Sequence, residues 1–477
     1  MMTISSTTRR VVFVVAVSSA TAVAQAPHVD RSKRPTPAPP PAFVFPNVED
    51  RTLSNGLKVS VVENHELPVV AVRAVIEGGS NLDPVGKEGM FQIMNAMLRE
   101  GTTTMTADQL AEAFSDQGNS VNPAGFTTIV RNLDRSLALM TDMLAHPAFP
   151  QDALDRQKAN LSANLQRAKD QPGFVAQRIF DATVYGVGHP YERTATAQSI
   201  AAITRDDLVK FHGDYLRPQN VHLVIVGDVT PATVLPRVER VFSAWSKGGM
   251  TVSYDIPPAK GAGKTTIYLY DRPNSPQSVV TIGQLGPSRS VDDFYALDLM
   301  NTVLGQLSGS RLSQNLREKH AYTYGINTFW QWRRSPEIAT LLGSSSVVAP
   351  KTDSAVIEWM RELNGIRGAR PVTDAELQFA RTNRTAGLPA SLESNDQVAD
   401  AVSNIIRNNL PRDYYQRYVQ RVSAISGSDI ASVATKYVDP ENVAIVIVGD
   451  RKVIEPGLRA ANVAPIVIVD ENGKAMP

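Results

Sequence analysis

Side chains that could bind a metal ion or act as nucleophiles are sparse in this 477-residue chain. The chain has seven His and no Cys, which excludes disulfides, thiolate metal sites, iron–sulfur clusters and a Cys nucleophile. No His lies three or four residues from another, so no helix can present a His pair to a metal ion. The Gly-x-Ser-x-Gly elbow of serine hydrolases is also missing. We interpret His189, beside Pro190, as a turn residue and His320 as a solvated residue at a helix end.

The composition is that of an ordinary globular protein with room for two to four domains. Hydrophobic residues make up 43% and charged residues 20%, so enough apolar surface exists to offset the entropy of ordering the chain. The formal net charge of +1 argues against nucleic-acid binding, which needs a basic face.

Residues 203–228 and 425–450 are two copies of one sequence unit, identical at eleven of 26 positions. Each copy opens with a hydroxyl residue and an Asp three residues later, Thr204 with Asp207 and Ser426 with Asp429. This variant of the capping box predicts a helix start. Each copy ends in a β-branched run followed by Gly-Asp, which is typical of a strand buried on both faces. The chain therefore contains an internal duplication.

Other segments predict the same α/β unit on both sides of a linker at residues 256–263. The predicted strands are 57–63, 69–77, 265–270 and 278–282, and the predicted helices are 107–114, 151–169, 292–304 and 311–319. A capping box, Thr106 with Gln109, precedes the first of these helices. We expect two homologous domains, residues 47–258 and 264–462, followed by a tail at 463–477.

The N-terminus predicts export. Arg9 and Arg10 precede an apolar run that is too short to span a bilayer, and Ala-x-Ala cleavage patterns follow it. We expect a signal peptide at residues 1–24, cleaved near Ala24, with no stable membrane span after cleavage. Residues 25–46 are rich in Pro and predict a stiff linker. The mature protein is expected in the periplasm.

A series of short motifs resembles the pitrilysin-type (insulinase-like) zinc peptidases, also called inverzincins. The motifs lie at residues 53–57, 83–89, 97–102, 170–172, 188–191, 310–312 and 316–325. In this order they cover nearly the whole mature chain. The resemblance implies an α+β fold of two homologous domains, each a mixed, largely antiparallel β-sheet packed with helices. Together the domains would form half of a clam-like chamber.

The chain departs from this family at the zinc motif. The family carries His-x-x-Glu-His on one helix and a further Glu downstream, which gives three zinc ligands and a general base. Gln92, Asn95 and Ala96 stand at the motif positions, and the downstream Glu falls at Ala163 or Asn164. No Glu occurs between Glu112 and Glu192. We therefore predict neither zinc nor any other cofactor in this chain.

A second family feature is retained. Active members use an Arg and a Tyr of the C-terminal domain to complete the site, and Arg317 and Tyr324 match them residue by residue. A guanidinium can donate to a substrate carbonyl, and a phenol can donate to a developing oxyanion. The resemblance thus implies that both residues bind substrate. The alternative is a surface ion pair for Arg317 and a packed ring for Tyr324. We interpret Arg311 as structural.

These features predict a non-catalytic subunit of a heterodimeric zinc peptidase, paired with a zinc-bearing homologue that cleaves peptides. The residues 304–310 hold only two Gly, which with the export signal favours a periplasmic pair over a mitochondrial one. Two alternatives stay open. The chain could be a stand-alone peptide-binding or scaffold pseudoenzyme, or a hydrolase with an unrecognised Ser/His arrangement.

Overall fold

The β-branched runs of the sequence form strands in the computed structural model, which describes residues 44–333 and 338–477. The strands are β1 (Glu49–Thr52), β2 (Lys58–Glu63), β3 (Val69–Ile76), β4 (Gly125–Ile129), β5 (Val221–Gly227), β6 (Thr266–Asp271), β7 (Gln277–Gly286), β8 (Thr323–Trp332), β9 (Ala339–Val348), β10 (Ala444–Gly449) and β11 (Ile466–Ile468). The predicted strands at residues 57–63, 69–77, 265–270 and 278–282 correspond to β2, β3, β6 and the first part of β7.

Helices account for most of the remaining ordered segments. They are α1 (Met90–Met97), α2 (Ala107–Ser115), α3 (Leu133–Ala145), α4 (Gln151–Lys169), α5 (Pro172–Tyr185), α6 (Ala197–Ala202), α7 (Arg205–Tyr215), α8 (Pro231–Phe242), α9 (Phe294–Asn301), α10 (Thr352–Asn364), α11 (Asp374–Ala386), α12 (Asn395–Arg407), α13 (Tyr414–Ala424), α14 (Gly427–Tyr437) and α15 (Arg451–Ala461). Wider, π-helical turns occur at Thr302–Gln306, Ser313–Lys319 and Gly365–Ala369.

The strands form two mixed sheets that are largely antiparallel and packed with helices, as the fold prediction stated. The first sheet has the order β1-β2-β5-β3-β4 and the second the order β11-β6-β10-β7-β9-β8. In the first sheet β5 runs parallel to β2 and antiparallel to β3. In the second, β10 runs parallel to β6 and antiparallel to β7. The two sheets therefore repeat one topology around a central, fully buried strand.

The sequence repeat coincides with this structural repeat. The helix that precedes each central strand, α7 or α14, begins with the predicted capping box, Thr204 with Asp207 or Ser426 with Asp429. The box at Thr106 and Gln109 likewise begins α2. In each box a side-chain oxygen accepts from a backbone N–H that has no partner within the helix.

One helix from each half of the chain packs against the sheet of the other half. Helix α5 packs on β7 and β10, whereas α12 packs on β3 and β5. Polar contacts fix α12 in place, because Arg73 Nε donates to Asp400 Oδ1 at 2.9 Å and Asn395 Nδ2 donates to the Val69 carbonyl at 3.1 Å. The halves are thus interlocked rather than joined only by the linker.

The two ends of the described chain also contact the second half, because β11 joins its sheet and Phe45 packs on α13. Residues 463–477, predicted as a tail, contain β11, which runs parallel to β6, and Lys169 forms an ion pair with Glu471 at 3.0 Å. At the other end the buried Phe45 ring stacks on Tyr415 at 5.2 Å. The predicted signal peptide and most of the Pro-rich linker lie outside the described residues. Among helices of residues 44–333 and 338–477, none combines the length and apolarity needed to cross a membrane.

Candidate functional site

Helix α1 carries the three degenerate motif positions and is anchored at its first turn. Gly89 precedes the helix with a left-handed backbone, φ 99°, which Gly adopts without strain. The buried Asp83 carboxylate accepts from the backbone N–H groups of Gly89 at 2.8 Å and Phe91 at 2.7 Å. Burial raises the pKa of Asp83 to about 6, and these two hydrogen bonds limit the rise. Asp83 therefore fixes where α1 starts.

The apolar face of α1 lies in the first-half core and its polar positions face a cleft. Met90, Ile93, Met94 and Met97 are buried. Gln92, Asn95 and Ala96 line a cleft of about 510 Å³ together with Gln157 of α4. Gln92 also lines an adjoining cleft of about 330 Å³ with Asn164, whereas Ala163 is exposed on α4. The structure thus brings the predicted motif positions together at the junction of α1 and α4.

The side chains at this junction do not fit a zinc ion. Zinc sites in proteins use imidazole, thiolate and carboxylate ligands, but Gln92, Asn95 and Asn164 are neutral amides and Ala96 has no donor atom. The one carboxylate lining the larger cleft, Glu100, is bound by Arg156 at 2.6 Å and Gln157 at 2.7 Å. Within residues 44–333 and 338–477, no three His, Asp or Glu side chains are arranged to hold a metal ion.

The His residues that were considered as ligands make structural contacts. His189 is buried, donates from Nε2 to the Pro257 carbonyl at 2.8 Å and accepts at Nδ1 from the Tyr191 N–H. His320 lies at the end of the π-helical turn Ser313–Lys319, as the helix-end prediction has it, but it is half-buried rather than solvated. Its ring stacks on Tyr322 at 4.9 Å and its Nε2 atom is buried.

Among the residues that the structure describes, a Ser/His pair in the first sheet bears on the hydrolase alternative. Ser60 Oγ lies 2.8 Å from His222 Nε2 and donates to Asp50 Oδ1 at 2.5 Å. A hydroxyl has one proton, so His222 is the donor to Ser60 and cannot act as its base. Ser60 is fully buried, and burial lowers the pKa of His222 to about 4. This cluster is a structural network and offers no nucleophile to a substrate.

Arg317 lies on the π-helical turn Ser313–Lys319, where the sequence predicted a regular helix over 311–319. The turn is held from α10, because Asn315 Nδ2 donates to Glu358 Oε2 at 3.0 Å and Glu362 Oε1 at 2.7 Å. These two carboxylates are buried, so they fix the amide strongly. Arg317 itself is exposed and, among the described residues, forms an ion pair with the adjacent Glu318 at 3.4 Å, which is the surface pair considered as its alternative.

Tyr324 lies seven residues further, at the start of β8, in a β-bulge. Thr323 pairs with Val347 and Ile326 pairs with Ser345, so Tyr324 and Gly325 oppose the single residue Ser346. Tyr324 is 89% exposed, the highest value among the large hydrophobic residues that the structure describes in the second half. Bulges often re-aim a side chain next to an active site. The packed ring that we considered as the alternative for Tyr324 is therefore not observed.

Arg311 differs from Arg317 in every contact. It is 10% exposed and forms a bidentate pair with Glu376, Nε to Oε1 at 2.6 Å and Nη2 to Oε2 at 2.8 Å. It also donates to the backbone carbonyls of Arg370 and Pro371. These contacts are those of a structural residue, as interpreted from the sequence.

The structure therefore contains two separate groups of candidate residues. Arg317 and Tyr324 belong to one segment of the second half, and within the described chain neither is hydrogen-bonded or ion-paired to the α1 cleft. Sequence reasoning missed the residues that hold these segments, Asp83, Asn315 and Ser345. Only Asp83 had a signal, since it opens a family-like motif.

Comparison with known proteins identifies the family. Residues 58–194 match the family described as insulinase (peptidase family M16), and residues 202–384 match the domain described as peptidase M16 inactive domain. These matches cover more than half of the chain. The chain belongs to the insulinase family. The resemblance inferred from the sequence motifs is thus confirmed.

Relatives of this insulinase-family chain include an uncharacterized zinc protease of Rickettsia bellii, 24% identical, with 83% of this chain and 96% of that protein covered. Among solved structures, the peptidase M16 inactive domain from Pseudomonas fluorescens has a TM-score of 0.76 at 25% identity, covering 85% of this chain and 98% of that one. The periplasmic protease PqqL from Escherichia coli has a TM-score of 0.71 at 16% identity. That match covers 89% of this chain and 49% of the PqqL chain.

Proposed function

We propose that this protein is the non-catalytic subunit of a heterodimeric zinc peptidase, which supplies Arg317 and Tyr324 to a zinc-bearing homologue. The observation that carries the proposal is an exposed Tyr on a bulge, seven residues after an exposed Arg on a π-turn. Both occur in a chain whose α1 and α4 side chains do not fit zinc. Irregular elements of these two kinds cluster at functional sites.

The chemistry of the two side chains suits a peptide substrate. The Arg317 guanidinium can donate from several N–H groups to a peptide carbonyl. Tyr324 can donate its hydroxyl proton to the oxygen that gains negative charge during amide hydrolysis. With 89% of its surface exposed, Tyr324 can reach a substrate held on another chain.

The architecture of a relative supports pairing. This chain matches about half of the PqqL chain, so a unit of this size is one part of a longer peptidase there. We propose that two separate chains make the equivalent pair here, closing a chamber between them. Substrate would add as a strand to an open sheet edge, a common mode of peptide recognition.

The periplasm is the proposed location. Two observations support it. The N-terminus has Arg9 and Arg10, an apolar run and an Ala-x-Ala pattern, which is typical of a signal peptide. The structural relative PqqL is described as periplasmic.

The test is co-purification and activity. This protein, expressed with a zinc-bearing homologue from the same organism, should elute with it as a dimer. Peptide hydrolysis should need both chains. Equal turnover by the homologue alone, measured at the same zinc content, would contradict the division of labour.

A stand-alone peptide-binding role is the second candidate, and one observation favours it. A cleft of about 510 Å³ is present at α1 although the residues lining it do not fit zinc. The carboxamides of Gln92 and Asn95, which line it, form no hydrogen bond with another described residue. Fluorescence anisotropy of an unstructured peptide with the isolated chain tests this role. Binding that Gln92→Ala and Asn95→Ala abolish would favour it over pairing.

A further inference from the structure

The bulge that presents Tyr324 is held by two buried hydroxyls. Thr323 Oγ1 donates to the Gly325 carbonyl at 2.9 Å and accepts from the Gly325 N–H at 3.1 Å. Ser345 on β9 places its hydroxyl 2.9 Å from Thr323 Oγ1 and 2.9 Å from the Gly325 carbonyl. Thr323 and Ser345 are both buried. Their hydroxyls therefore satisfy the backbone groups that the bulge removes from the strand ladder.

The side-chain pattern of β8 shows what the bulge does. Side chains alternate across a regular strand, yet Thr323 and Ile326, three residues apart, are both buried. The extra residue of the bulge lets Thr323 and Ile326 face the same buried side, and both Tyr324 and Gly325 between them are exposed. Without the bulge, regular alternation from Ile326 would turn residue 324 inward.

Tyr324 has no other restraint. Its ring and hydroxyl make no hydrogen bond and no ring contact with the residues that the structure describes, and it is 89% exposed. The direction of its side chain is therefore set by the backbone of the bulge. That backbone depends on the hydroxyls of Thr323 and Ser345.

We propose that Ser345, acting with Thr323, is a positioning residue that holds Tyr324 toward the substrate of the partner subunit. The inference rests on the proposed function for its effect on turnover, whereas the positioning itself can be measured without activity. Ser345 would touch neither substrate nor zinc.

The neighbouring Ser344 provides a matched control. Its hydroxyl lies 3.2 Å from Thr281 Oγ1 on β7 and has no contact with the bulge. Ser345→Ala and Ser344→Ala each remove one hydroxyl from the same strand. Ser345→Thr keeps a hydroxyl at the position and tests for rescue.

Two measurements are made on the full-length chain. The first is the ¹⁹F NMR line of 3-fluorotyrosine placed at position 324, which reports ring environment in the chain alone. The second is kcat and KM of the mixed complex. We expect Ser345→Ala to shift or broaden the line and to lower kcat about threefold to tenfold, since misplacing a reacting group is costly. In a Tyr324→Phe background Ser345→Ala should lower kcat no further, because coupled residues are not additive.

Each outcome decides between the two claims. An unchanged ¹⁹F line in Ser345→Ala, or an equal change in Ser344→Ala, would overturn the positioning role. A changed line in a complex whose kcat responds to neither Ser345→Ala nor Tyr324→Phe would support positioning and contradict the proposed function. If Ser345→Ala proves too unstable to measure, Thr323→Val provides a second test, with Thr323→Ser as the rescue variant.

Discussion

Arg311 and Arg317 lie six residues apart and should respond to substitution in opposite ways. Arg311→Ala removes a bidentate pair with Glu376 and two hydrogen bonds to backbone carbonyls, all at a side chain that is 10% exposed. Removing one partner of a buried pair costs about 3–5 kcal/mol. Glu376 is 31% exposed and keeps its hydrogen bonds to Thr373, so we expect a loss of about 2–3 kcal/mol in the free energy of unfolding. Arg317→Ala removes only an exposed contact and should cost about 0.5 kcal/mol or less.

The pH dependence provides an independent measure of the same pair. Although burial opposes it, hydrogen bonds from Arg311 and Thr373 lower the pKa of Glu376 from 4.5 to about 2. A carboxyl with a lowered pKa stabilises the fold above its unfolded pKa, and this stabilisation is lost as pH falls through the folded value. The difference in stability between the unsubstituted chain and Arg311→Ala should therefore be full at pH 7 and narrow between about pH 4.5 and 2.

Urea unfolding followed by circular dichroism checks both statements, with Arg311→Lys as a variant that keeps the charge but not the planar fork. We expect the free energy of unfolding of Arg311→Lys to lie between those of the unsubstituted chain and Arg311→Ala. A loss below about 1 kcal/mol for Arg311→Ala, or an equal loss for Arg317→Ala, would refute the structural assignment of Arg311.

Two further predictions concern the interlocked halves and the α1 cleft. Asp396→Ala should lower the free energy of unfolding by about 0.5–1.5 kcal/mol, because the 47%-exposed Asp396 accepts from both Arg73 and Thr127 and so ties α12 to the first sheet. Asp400→Ala, which removes a 67%-exposed partner of the same Arg73, is the matched control and should cost less in the same urea titration. The isolated chain should hold only substoichiometric zinc after dialysis and leave a peptide library uncut. About one zinc per chain by mass spectrometry, with chelator-sensitive cleavage, would show that the junction of α1 and α4 is a metal site after all.

The regular elements were predictable because their signals are local. A capping box needs only residues within one turn, and Thr106 with Gln109 or Ser426 with Asp429 could be identified from spacing alone. The runs that became β5 and β10 are apolar except for His222, which is typical of a strand buried on both faces.

The irregular elements were not predictable, because distant contacts determine them. Residues 311–319 have a helical sequence, yet the carboxylates of Glu358 and Glu362 bind Asn315 and favour a wider turn. The bulge at Tyr324 depends on Ser345, which lies on the next strand. The packing of α5 on the second sheet and of α12 on the first has no signal in the local sequence.

The candidate site was predictable in identity but not in geometry. Resemblance to the insulinase family identified Gln92, Asn95 and Ala96 as degenerate positions and Arg317 and Tyr324 as retained ones. The cleft shared with α4, the exposure of Tyr324 and the contrast between Arg317 and Arg311 emerged only from the packing.

Turnover by the mixed complex of this chain with a zinc-bearing homologue tests the central claim most directly. Tyr324→Phe deletes one hydroxyl and keeps the ring, and Arg317→Ala deletes the exposed guanidinium. The account predicts that each lowers kcat at least about tenfold, or about 1.4 kcal/mol of barrier, while size-exclusion chromatography still shows the dimer. Unchanged kcat in both variants, with the dimer intact, would contradict the claim that this chain contributes to the chemistry of its partner.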